Sequence, residues 1–221
     1  GLIGLSMLTS YFGTRRARFT QRVEAAMGLR QAIATAFQNR SFVWLLASKF
    51  MHLTGVSVTN ASLLFVITVV LARPESAAGI FGVTAATGVM ISMPAWLAAS
   101  QRFGKRNTYL VAASLYVPVM LSWLLANPAE PVWLLALRGT AIGLLTGGLT
   151  LTAQAMLPDA IEHDARRTGL RREASLAAVY SAVEKTAAAT GPLVLGLLLG
   201  GQSNLDTAAD TIRYSAAVLP A

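Results

Sequence analysis

Long apolar runs set what this chain can become. Five stand out, at about 42–72, 79–99, 108–127, 131–157 and 174–200, and partial runs flank them at 1–12 and 212–221. A helix needs about 20 mostly apolar residues, each rising 1.5 Å, to cross the hydrocarbon core of a bilayer. All five meet that length. They are too long for the strands of a membrane barrel and lack its ten-residue alternation. The expectation is an all-α integral membrane protein with five complete spans and two partial ones. Only 13% of the residues are charged, about half the roughly 25% of soluble domains. Gly1 opens inside one apolar run and the chain closes inside another, which reads as an internal piece of a longer protein.

The net charge of +8 lies between the apolar runs, so a nucleic-acid partner is not expected. The segment 13–41 holds Arg15, Arg16, Arg18, Arg22, Arg30 and Arg40. The segment 100–107 holds Arg102, Lys105 and Arg106, and 158–173 holds Arg166, Arg167, Arg171 and Arg172. The intervening loops hold only Arg73. By the positive-inside rule the basic loops are cytoplasmic. Within 13–41, Val23, Met27, Ile33 and Phe37 fit an amphipathic surface helix, and a solvated linker fits as well. Trp44, Trp96, Trp123 and Trp133 fall near the expected interfaces, where aromatic belts form.

Charges within the runs need an explanation. Lys185 lies roughly 16 Å from the cytoplasmic end of its run, close to the midplane. A charge there costs at least about 2.5–3.5 kcal/mol and is tolerated when it faces a bundle interior or wet cavity. Glu184 is adjacent, but neighbours on a helix point about 100° apart and do not face each other. Each therefore requires a partner on another helix. Within its own helix Glu184 can reach Tyr180 and Lys185 can reach Ser181. Asn60, Tyr116, Gln154 and Tyr180 are the remaining midspan polar candidates for a solute path. Lys49 is expected to snorkel to the cytoplasmic interface, His52 to make a helix contact, and Arg138 to reach the outer interface. Gly139, Gly143 and Gly147 repeat at intervals of four and predict close packing with a neighbouring helix, static or sliding.

Enzymatic signatures are lacking: the sequence has no phosphate-binding loop, no H-E-x-x-H and no nucleophile elbow. Two histidines and no cysteine leave no ligand set for a structural zinc and no disulfide. No enzyme activity and no cofactor are expected.

The stretch "LPDAIEHDARRTGLRREAS", 157–175, packs four acids and four arginines between two membrane runs. Orientation needs only the arginines. Pro158 is suited to open a short helix, with Asp159 and Glu162 at its positive end and Gly169 as its stop. Weak exposed ion pairs, worth about 0–1 kcal/mol each, suit a latch that opens and closes. "MLPDAIEHDARRTGLRREA" resembles the loop between helices ten and eleven of the glycoside–pentoside–hexuronide:cation symporters, the branch of the major facilitator superfamily that includes the melibiose carrier. The shared positions are Met156, Asp159, Ile161, Glu162, Arg167, Thr168, Gly169, Arg171, Glu173 and Lys185. His163 and Ala174 depart from the family's Tyr and Gly. "RFGKR", 102–106, resembles the superfamily loop between helices eight and nine, with Gln101 where an aspartate is usual. "YFGTR", 11–15, looks like the exit from helix six, and "NRSF", 39–42, like the start of helix seven.

The resemblance implies a carboxyl-terminal half-bundle. Residues 1–12 would end helix six, 13–41 form the cytoplasmic middle loop, 42–211 hold helices seven to eleven, and 212–221 begin helix twelve. It implies cation-coupled symport of a sugar or glycoside by alternating access in the bacterial inner membrane. The coupling Na⁺ or H⁺ would be bound mainly by the amino-terminal half. Lys185 and Glu184 would face the solute path with Asn60, Gln154, Tyr180 and Tyr116. Asp159, Glu162, Arg167, Arg171, Glu173, Arg102 and Arg106 would form the cytoplasmic gate. The expected partners are a small solute, membrane lipids and the other half of the carrier. A carrier of lipid or another non-sugar solute, or a membrane fragment that does not transport, remain as alternatives.

Overall fold

The computed structural model describes residues 7, 9–13, 34, 37–169, 172–200 and 205–221. Arg171 and nearly all of the 13–41 segment, with Val23, Met27 and Ile33, lie outside them. Helix α1, Arg40–Phe65, continues into a π-helical turn at Val66–Val70. Helix α2 spans Ala77–Phe103 and α3 spans Lys105–Leu121, ending in a 3₁₀ turn at Ser122–Leu125. Helix α4 spans Val132–Thr168, α5 Glu173–Leu199 and α6 Leu205–Val218. Among the described residues, five of these segments are long and apolar enough to cross a membrane.

The local signals act as their chemistry requires. Asn39 caps α1 by accepting the Phe42 N–H through its side-chain oxygen at 3.1 Å. Its amide donates to the Ala160 carbonyl at 3.2 Å, which ties the cap to α4. Gly104, at φ +83°, is the sole residue between α2 and α3. Gly169, at φ +69°, ends α4 in the left-handed conformation that glycine adopts without a Cβ clash.

Pro158 does not open a helix of its own. It lies inside α4, which runs unbroken for 37 residues. A proline removes one N–H and crowds one carbonyl, and membrane helices tolerate this where neighbours satisfy the freed groups. Asp159 and Glu162 therefore sit far from any helix N-terminus. The last helix also begins earlier than the apolar run at 212–221, at Leu205.

Two pairs of parallel helices organise the bundle. α2 lies along α4, and α5 packs almost solely on α1. The Gly139, Gly143 and Gly147 row faces α2 at backbone contact. A Cβ on Gly147 would meet the Ser92 hydroxyl at 2.5 Å, and one on Gly139 would meet the Phe81 carbonyl at 2.9 Å. Gly88 of α2 answers from the other side, since its Cβ would meet the Thr140 carbonyl at 2.6 Å. Helix α3 packs on α4, and α6 bridges α1, α3 and α5. One apolar cluster, including Val66, Phe81, Met120, Trp123, Leu149 and Ile212, holds the end away from the basic loops. A second, including Phe42, Leu46, Ala160, Leu176 and Val179, holds α1, α4 and α5 together at the basic end.

Candidate functional site

Two charged groups inside the spans, Lys49 and Glu184, meet on a seam between α1 and α5. Lys49 does not snorkel: it is 2% exposed. Its Nζ lies 3.9 Å from the Glu184 carboxylate and 5.1 Å from the centre of the Tyr180 ring. Helix geometry explains the meeting. Lys49 is nine residues into α1 and Glu184 eleven into α5, and the two helices run parallel. At 1.5 Å per residue both lie roughly 14–16 Å from the basic end. The interhelix partner that Glu184 needs is therefore Lys49.

The seam continues in both directions. The Tyr180 hydroxyl donates to the Gln154 side-chain oxygen at 3.4 Å, joining α5 to α4. Tyr180 itself is buried, whereas Gln154 is exposed. Tyr109 of α3 reaches the Ser48 side chain. Deeper in the bundle the His52 and Tyr116 rings meet edge to face at 6.0 Å. The Tyr116 hydroxyl is within reach of the Thr146 and Thr59 side chains. His52 thus makes the helix contact expected of it, and among the described residues its Nε2 has no hydrogen-bond partner.

The solute-path candidates separate into two groups. Glu184, Tyr180, Gln154 and Tyr116 are on or next to this seam. Asn60 is exposed on α1, away from it, and Lys185 is exposed on α5. Around Lys185 the exposed residues are small: Ala174, Ala178, Ser181, Ala182, Thr186 and Ala189. The exposed face of α2 is different, with Val83, Met90, Ile91 and Leu97. Large apolar side chains suit lipid, while a small-residue face around an ammonium suits close protein contact or a wet cavity.

At the basic end, the ion pair that links helices is Lys105–Asp159, at 2.6 Å. Lys105 also donates to the Ala155 carbonyl at 3.0 Å, three residues before Pro158. Arg102 and Arg106 make no ion pair among the described residues. Arg102 lies over the Phe103 ring, 5.4 Å from its centre. Arg106 lines a cleft with Asp159 and His163. Glu162 pairs within its helix with Arg166 at 2.8 Å. Arg167 approaches Asp164 at 3.9 Å, and Asp164 is 1% exposed with neither carboxylate oxygen hydrogen-bonded among the described residues. Glu173 supplies an acid to the first turn of α5.

Arg138 does not reach the interface. Its side chain is 6% exposed and that of its partner Glu130 is 10% exposed. The guanidinium grips Glu130 with two bonds, at 2.6 and 3.0 Å. It also donates to the Ser122 hydroxyl at 3.2 Å and the Ser122 carbonyl at 2.9 Å. It lies 4.9 Å from the Trp123 ring centre. Trp123 is therefore buried under this pair and is not part of an interfacial belt, while Trp44 and Trp133 are exposed as belt residues are. Arg73 donates to the Glu130 backbone carbonyl, so three loop ends meet at one carboxylate residue.

Three residues of this arrangement were readable but not assigned from sequence. Lys49 shares the depth of Glu184. Glu130 stands eight residues from Arg138, beside the proline that starts the helix. Lys105 lies between the two arginines expected to form the gate.

Membrane-length helices that turn Lys49, Glu184 and Tyr180 onto an internal seam define a multi-pass membrane protein. The chain belongs to the family described as MFS/sugar transport protein, whose pattern it matches over residues 1–221. It is 28% identical over 207 residues to the glucuronide carrier protein homolog of Escherichia coli, covering 90% of this chain and 45% of that protein. It is 23% identical over 205 residues to an uncharacterized symporter of Synechocystis sp., covering 87% of this chain and 38% of that one. The chain thus spans less than half the length of these relatives. The sequence expectation of an all-helical major facilitator half-bundle is met.

Proposed function

We propose that this chain forms half of a cation-coupled symporter that moves a sugar or glycoside by alternating access. The seam of Lys49, Glu184, Tyr180 and Gln154 carries this reading, because groups so costly in a membrane persist where they line or shape a solute path. Tyr180 and Tyr116 supply aromatic faces, and Gln154 and Asn60 supply amides suited to hydroxyl groups. Lys185, on the small-residue face of α5, is assigned to the central path between the halves. Its counter-charge comes from the other half, as do most ligands of the coupling Na⁺ or H⁺. The basic loops face the cytoplasm of a bacterial cell, and Lys105–Asp159 serves the gate there with Glu162, Arg167, Arg171, Glu173, Arg102 and Arg106. The names of the two relatives, a symporter and a glucuronide carrier homolog, support this reading.

Reconstituted full-length carrier tests it. Vesicles are given an imposed Na⁺ or pH gradient and a panel of radiolabelled glycosides and glucuronides. Uphill accumulation of a panel member is expected, and Lys185→Ala is expected to abolish it while leaving expression intact. Accumulation of a lysophospholipid but of no panel member would overturn the sugar assignment.

A further inference from the structure

Beyond the apolar cluster they share at the basic end, helix α5 is held to α1 by two unlike polar contacts. The first is short and tight. Pro192 has no N–H to give the Ala188 carbonyl four residues earlier, and the Ser57 hydroxyl of α1 donates to that carbonyl at 2.5 Å. Beside it Gly191 lies against the Ser57 backbone so closely that a Cβ would overlap the Ser57 carbonyl at 2.6 Å. The second contact, two turns nearer the basic end, is long. Lys49 and Glu184 are 3.9 Å apart, and Glu184 is 37% exposed. An ammonium has three donors, yet Lys49 is buried and makes no hydrogen bond among the described residues. A close bearing and a loose clasp lie on the same pair of helices, with a proline beside the bearing.

We propose that α5 is jointed at Pro192, that Ser57 fixes the joint to α1, and that Lys49–Glu184 is the breakable clasp holding the segment N-terminal to the joint. That segment carries Tyr180, Glu184 and Lys185. Release of the clasp swings all three relative to α1 and separates the Tyr180 ring from Lys49. The vacated ammonium is then free for water or solute hydroxyls. The described charged groups of α6, Asp210 and Arg213, pair with each other at 3.1 Å and leave the clasp to Lys49 and Glu184. The consequence for transport rests on the carrier reading, but the joint is a property of the helices alone.

The experiment reads the joint directly. In cysteine-free full-length protein in lipid nanodiscs, spin labels are placed at Ala47→Cys and Ala178→Cys, both exposed below the joint. A second pair is placed at Leu64→Cys and Leu197→Cys, exposed beyond it. Pulsed electron spin resonance gives the distance distributions. Glu184→Gln is expected to lengthen and broaden the 47–178 distribution by several ångströms and to leave 64–197 unchanged. Adding Pro192→Ala is expected to narrow it again. If Glu184→Gln does not fold, Lys49→Gln/Glu184→Gln, which leaves no orphan cation, carries the same expectations. An unchanged 47–178 distribution, or equal broadening of both pairs, overturns the proposal. Failure of the carrier reading shows separately, as absence of uptake by the unsubstituted protein with the distance changes intact.

Discussion

Removing the Glu130 carboxylate should destabilise the bundle more than any other single surface-loop change, and removing its partner as well should undo most of the damage. Arg138 is 6% exposed and donates two of its bonds to Glu130. Glu130→Ala leaves a desolvated guanidinium with Ser122 and the Trp123 ring for company. Breaking a buried pair from one side costs about 3–5 kcal/mol, whereas replacing both members with apolar residues of similar size is often neutral. Glu130→Gln keeps one acceptor oxygen and should fall between. The assay is thermal denaturation of the purified full-length carrier, followed by the fraction remaining monodisperse. Trp123 fluorescence adds a local probe, since Arg138 lies 4.9 Å from its ring. Glu130→Ala should lower the midpoint by several degrees, and Glu130→Ala/Arg138→Met should recover most of the loss. If the double variant is as unstable as Glu130→Ala, the orphan guanidinium is not the source of the penalty and the argument fails.

Three further outcomes follow from the same geometry. Gly147→Leu should separate α2 from α4, because even a Cβ meets the Ser92 hydroxyl at 2.5 Å; a loss of about 1–3 kcal/mol or more is expected, and wild-type thermal stability would contradict the close contact. Asp159→Asn breaks Lys105–Asp159, whose side chains are 38% and 59% exposed, so its effect on stability should stay within about 1 kcal/mol in the same denaturation assay. Ser57→Ala should cost about 1 kcal/mol by leaving the Ala188 carbonyl without a donor. In Ser57→Ala/Pro192→Ala the restored N–H should remove most of that cost, so equal losses in single and double variants would refute the pairing.

The spans were legible because a run of apolar residues long enough for a bilayer admits few other structures. The stop at Gly169 was legible too, since it depends on the residue's own backbone. What escaped was set by packing between helices. Lys49 read as a snorkelling residue because sequence position gives depth but not the direction of a side chain. Only the parallel register of α1 and α5 aims it at Glu184. Arg138 was misread for a related reason: its depth fits an interfacial arginine, and burial comes from Ser122, Trp123 and Glu130 closing over it. Pro158 misled because proline at a helix start and proline within a membrane helix present the same local sequence. The ion pair at the basic end was half legible, as an acid at Asp159 and a cation in the 102–106 loop, but the cation is Lys105.

The prolines show why the seam and the basic-end contact arise where they do. A proline inside a helix leaves a carbonyl without its usual donor, and in a membrane that group needs another source. At Pro192 the donor is Ser57 on α1. At Pro158 the Gln154 carbonyl is the one deprived, and Lys105 donates one residue further on, to Ala155, while pairing with Asp159. At Pro192 the break is thus met by a polar side chain from another helix, whereas at Pro158 the donated bond falls on the neighbouring carbonyl. Both lie next to groups assigned to transport: Glu184 and Lys185 precede Pro192 on α5, and Gln154 precedes Pro158 on α4. At Pro192 the position that weakens α5 internally is also one that fastens it to α1. Such an arrangement would let the segment before Pro192 tilt without losing its attachment to α1.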